Sequence, residues 1–111
     1  MIDEAKAREC VETMNKANFR NLLTALNVER YLFSIFGDSL DTGYSPDTGT
    51  FVIRYKDTRP NALKNIIESV KRAARETPGR AHYFGVKGKT TSGARFAFAG
   101  GFSVMAIHKE A

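Results

Sequence analysis

Arg54, Lys56, Tyr83, Lys87, Lys89 and Arg95 are the residues whose types and spacing point most directly to chemistry. They are five cations and one aromatic, set at alternating positions in three extended segments. Lys and Arg neutralise phosphate, and a tyrosine ring gives a base or nucleotide ring a face to stack on. Alternation matters because successive side chains of a strand point to opposite faces. Over 50–56, a core taking Phe51, Ile53 and Tyr55 leaves Val52, Arg54 and Lys56 outside. Over 80–89, a core taking His82, Phe84 and Val86 leaves Tyr83, Gly85, Lys87 and Lys89 outside. In the last segment Phe96 and Phe98 go inward, which leaves Arg95, Ala97 and Ala99. The three segments together predict one flat, basic sheet face with Tyr83 available for stacking. The ligand expected of such a face is nucleic acid or a nucleotide phosphate.

Other residue types that could react are scattered. Phe36-Gly37-Asp38-Ser39-Leu40, followed by Asp41-Thr42-Gly43, resembles the first block of the GDSL family of esterases and lipases. That resemblance covers about eight residues and implies Ser39 as a nucleophile. A serine hydroxyl needs a base to take its proton, and the family draws that base from a later Asp-x-x-His. Here Met105 stands three residues before His108, and Gly79 three before His82. Hydrolysis is therefore a remote alternative, and the chain is expected not to be an enzyme.

Gly88-Lys89-Thr90 has the closing pattern of a phosphate-binding loop, but Tyr83 occupies the position where that loop needs its first glycine. Asp38, Asp41 and Asp47 lack calcium-loop spacing, and His82, His108 and Cys10 lack zinc spacing. No metal and no cofactor is expected.

The elements that must position the basic residues follow from periodicity. Asp3 to about Leu26 reads as helix, with Asp3 as its cap and Ala7, Val11, Met14, Asn18, Leu22 and Ala25 as its stripe. Asn15, Asn18 and Asn21 are weak helix formers, which admits a kink or two helices. Val28–Phe36 is rich in aromatic and β-branched residues and reads as a strand, with a short helix closed by Gly37 as the other reading. Gly37–Gly49 reads as a loop and Thr50–Lys56 as a strand. A helix follows from Thr58-Arg59-Pro60, with Leu63, Ile66, Ile67, Val70 and Ala74 inward, to a stop at Thr77-Pro78-Gly79. The remainder reads as a hairpin: Arg80–Lys89, a Thr90-Thr91-Ser92-Gly93 turn, and Ala94 to about His108, interrupted at Gly100-Gly101. The expected fold is α+β, with two helices packed on one face of a four-stranded antiparallel sheet. Its order, αββαββ, would be that of a circularly permuted ferredoxin-like arrangement.

The totals set the bounds. With 111 residues, 42% hydrophobic and 26% charged, the chain is expected to form one domain, 1–111. No apolar run is long enough for a membrane span, no secretory leader is visible, and Cys10 is alone, so a cytoplasmic location with a buried, inert thiol is expected. The net charge of +5 is divided unevenly, −2 over residues 1–58 and +7 over 59–111. Such asymmetry favours polyanionic partners. The alternative is a small inhibitor or adaptor of the phage or mobile-element type, acting by protein–protein contact, for example by blocking a host defence complex. The acidic Gly37–Gly49 loop and the number of aromatics suit that alternative. The oligomeric state is left open.

Overall fold

The computed structural model describes residues 1–12, 16–56, 59–76, 83–90, 93–98 and 102–108. Met14, Asn15, Thr58, the Thr77-Pro78-Gly79 stop, His82, Thr91-Ser92, Ala99 and Gly100-Gly101 therefore lie outside the described residues.

Among the described residues, three helices and a mixed five-stranded sheet make up an α+β fold. The helices are α1 (Glu4–Glu12), α2 (Lys16–Phe36) and α3 (Ala62–Glu76), and a 3-10 turn spans Gly37–Ser39. The strands are β1 (Leu40–Ser45), β2 (Thr50–Tyr55), β3 (Tyr83–Thr90), β4 (Gly93–Phe98) and β5 (Ser103–His108). They lie in the order β1-β2-β5-β4-β3.

Asp3 caps α1 as expected: its Oδ1 accepts the Lys6 N–H at 3.2 Å, and its carbonyl accepts the Ala7 N–H at 3.0 Å. Two helices, α1 and the first part of α2, cover the segment 3–26, as its weak helix formers allowed. The Cys10 thiol is exposed, which corrects the expected buried site. Ala7, by contrast, is buried on the same helix.

The segment 28–36 is the second half of α2, not a strand. Leu22, Ala25, Val28 and Leu32 are all fully buried, and their spacing of three and four residues makes one helical face. Strand propensity loses here because this stripe continues one already begun at Leu22. Gly37, at φ +59°, then takes the left-handed conformation that ends the helix.

The first strand comes instead from the segment read as loop. Leu40 and Thr42 are buried and alternate with exposed Asp41. A four-residue turn at 46–49 returns the chain to β2, with Gly49 at φ +66° donating its N–H to the Ser45 carbonyl at 2.9 Å.

The all-antiparallel expectation is also corrected. β2 and β5 are parallel, with Phe51 beside Val104 and Ile53 beside Ala106, while the other three pairings are antiparallel. The cause is the crossover through α3. It carries the chain from β2 to the far edge, and β3, β4 and β5 then fold back until β5 fills the place beside β2. The segment read as one strand, 94–108, is two, joined tightly by the Phe98 N–H to Phe102 carbonyl bond at 2.9 Å.

The large buried side chains among the described residues lie between the helices and one sheet face. Phe51, Ile53, Phe96, Phe98, Phe102, Val104 and Ala106 meet Leu22, Val28 and Leu32 of α2 and Ile66, Val70 and Ala74 of α3. The free edge of β1 is held by the first two residues. The Met1 ammonium donates to the Thr42 carbonyl at 2.8 Å, and Glu29 accepts from Ile2 N–H at 2.9 Å and Thr42 Oγ1 at 2.7 Å. Glu29 is buried, so Glu29→Ala leaves two buried donors unmatched. It is expected to cost about 2–3 kcal/mol in urea unfolding. A loss below about 0.5 kcal/mol would mean that water takes over both bonds.

Candidate functional site

The sheet has one covered face and one that no described element covers. Register defines the outer rows. One runs Gly43, Val52, Met105, Arg95, Gly88 from β1 to β3; the next runs Asp41, Arg54, Ile107, Gly93, Thr90. Arg54 and Arg95 are exposed, and Val52, Met105 and Ile107 between them are half-buried. Lys56, two residues beyond Arg54, is exposed as well.

Arg54 and Arg95 sit two strand spacings apart and one two-residue step along, a backbone separation of about 12 Å. None of Arg54, Lys56 and Arg95 forms an ion pair among the described residues. Asp41 is the carboxylate in these two rows; it lies at the sheet edge, 3.8 Å from the Met1 ammonium. At Gly43 and Gly88, the ends of the first row, an added Cβ would meet nothing within 4 Å. The surface is low and open there.

The third strand meets the face differently from the sequence reading. β3 shifts register against β4 twice, between Tyr83 and Gly85 and between Val86 and Gly88. Each shift moves the alternation by one residue. Tyr83 consequently stands opposite buried Phe98, and Lys89 opposite buried Ala94, on the rows of the core face. Gly85 and Gly88 occupy the outer rows, opposite Ala97 and Arg95. Lys87 lies within the second irregularity. The side chains of Tyr83, Lys87 and Lys89 are not among those described. What sequence reasoning missed is the apolar floor, Met105 and Ile107. Their alternation with Val104 and Ala106 was visible, but no separate strand was assigned over 103–108.

The other candidates are placed apart. Ser39 Oγ donates to the Phe36 carbonyl at 2.8 Å, a bond that closes the end of α2. Leu40, next to Ser39, is two strand spacings, about 10 Å, from His108. The His108 ring packs edge-on against Tyr55, with centroids 5.2 Å apart. Lys89 and Thr90 lie in a strand, and the next described element is the strand β4, not a helix. Among the described residues no group of three or more His, Cys, Asp or Glu could hold a metal, and no helix is long and apolar enough to cross a membrane.

Burial pushes the Tyr44 hydroxyl on β1 up to about 12, so it stays a neutral phenol through the physiological range. A groove of about 390 Å³ lies between α1 and α2, with Leu23, Leu26, Arg30 and Phe33 along α2 and Glu4 and Arg8 along α1. Its Arg8 is paired with Glu4 at 3.0 Å and lies over the Phe19 ring.

No family model matches the chain, and no curated protein or solved structure matches it, so the functional reading rests on the geometry of this face.

Proposed function

We propose that this chain is a small, non-enzymatic binding module that holds nucleic acid, or the phosphate of a nucleotide, on the outer face of its sheet. The observation that carries this reading is the pair of exposed arginines, Arg54 and Arg95, neither in an ion pair among the described residues, on a sheet face that no described element covers; Asp41, opposite Arg54 on β1, is the one carboxylate in the two rows that hold them. Arginine is suited to the role because its planar fork matches phosphate oxygens and stays charged at any physiological pH. Lys56 extends the charge along β2, and Lys87 and Lys89 add to the potential at the β3 edge. Tyr83, expected to stack, is on a core-face row, so phosphate contact is the main term. Lys64, Arg72 and Arg75 are exposed on α3, on the helical side of the sheet, and add only long-range attraction.

The test is the salt dependence of binding to a labelled oligonucleotide. Contacts from Arg54, Lys56 and Arg95 predict a slope of log K against log salt of about −2. A flat salt profile would remove electrostatics as the basis of the site.

A protein partner is the second reading, and half-exposed Val52, Met105 and Ile107 favour it, because interfaces combine apolar centres with arginine. A stoichiometric protein complex that survives nuclease and moderate salt would support it over the first.

A further inference from the structure

We infer that the outer sheet face takes single-stranded nucleic acid in preference to duplex, with bases lying on a floor of Val52, Met105 and Ile107 between Arg54 and Arg95. This rests on the reading above and narrows its ligand.

Register makes the floor continuous. Val52 pairs with Met105 and Arg54 with Ile107 across β2 and β5, and Met105 pairs with Arg95 across β5 and β4. The result is an apolar patch with an arginine at each of two opposite corners, their backbones about 12 Å apart. A purely electrostatic anion site has no use for the patch. A duplex keeps its bases stacked inside and offers such a surface chiefly phosphates, so Val52, Met105 and Ile107 would stay against water or against charge. An unpaired strand offers both groups at once: phosphates for the cations and base faces for the floor.

The residue types fit that division. The Met105 thioether is flexible and polarisable and makes favourable contacts with aromatic rings, as a base is. A guanidinium plane can stack on a base as well as bind phosphate. Gly43 and Gly88 leave both ends of the row without side-chain walls, so a strand can cross the sheet and continue past either edge. Among the described residues the outer rows have no aromatic ring and no amide side chain. Recognition is therefore sequence-tolerant, because apolar contact does not read base edges.

The experiment compares fluorescence anisotropy of an oligothymidylate of about 12 nucleotides with a duplex of equal length, at one salt concentration. The single strand is expected to bind about tenfold tighter or more. Met105→Ser should weaken single-strand binding about fivefold while leaving duplex affinity unchanged, because only the single strand uses the floor. Ile107→Thr, also half-buried, gives the same comparison should Met105→Ser fail to fold. Equal affinity for single strand and duplex, or insensitivity of single-strand binding to both substitutions, overturns the single-strand inference and leaves the phosphate reading standing. Binding to neither probe removes both.

Discussion

The double variant Arg54→Glu, Arg95→Glu is expected to bind a single-stranded oligonucleotide about 100-fold more weakly than the parent chain, with its fold intact. A factor of 100 corresponds to about 2.7 kcal/mol. Each charge-assisted contact to phosphate contributes about 1.5 kcal/mol even with partial solvent screening, and replacement by a carboxylate adds repulsion to the loss. The fold should hold because both side chains are exposed and neither has an ion pair among the described residues. Surface substitutions of that kind stay within about 0.5 kcal/mol each. Anisotropy and a thermal melt on the same samples separate the two outcomes. Reversing Lys64 and Arg72 on α3 serves as the charge-matched control, since it changes net charge equally but on the helical side. A loss of less than about threefold in the sheet variant, or an equal loss in the control, would leave net charge alone as the driving term.

Gly93→Ala is expected to lower stability by about 3 kcal/mol, the upper end for forcing a group into a packed site. A Cβ at position 93 would run into the Ala106 carbonyl oxygen. That oxygen belongs to the backbone of β5, so no side-chain rotation relieves the contact, and β4 and β5 must move apart. The two strands carry Phe96, Phe98, Val104 and Ala106 into the core, so separation there loosens the packing under both helices. For a domain of this size the melting temperature should fall by about 12–18 °C. Gly43→Ala is the matched comparison. Its Cβ meets open space on β1, and the expected change is within about 0.5 kcal/mol. If Gly93→Ala melts within a few degrees of Gly43→Ala, close approach of β4 and β5 is not what requires glycine there.

Much of the candidate face was legible from alternation alone. Phe51, Ile53 and Tyr55 on one side force Arg54 to the other, and Phe96 and Phe98 do the same for Arg95; the structure buries all five and exposes both arginines. Strand parity is a local property, so a short stretch of residues is enough to read it. Lys56 follows by the same rule. α3 was equally clear, because Ile66, Val70 and Ala74 keep helical spacing between a start signal at Thr58-Arg59-Pro60 and a stop signal at Thr77-Pro78-Gly79.

Parity read this way holds only until a strand slips. The two shifts in β3 put Tyr83 and Lys89 on core-face rows and Gly88 on the outer one, and nothing in Tyr83-Phe84-Gly85-Val86-Lys87-Gly88-Lys89 announces them beyond the two glycines. The segment 28–36 failed for a related reason: its residues suit either structure, and the choice belongs to the helix already running from Lys16.

By itself the sequence determined the α+β class, α3, β2 and the outward direction of Arg54 and Arg95, because each follows from periodicity within a few residues. Tertiary structure alone decided that β5 lies parallel beside β2. That pairing brings Met105 and Ile107 between the two arginines, across about fifty residues of chain. Non-local strand pairing depends on which edge the α3 crossover leaves open, and no local pattern encodes that.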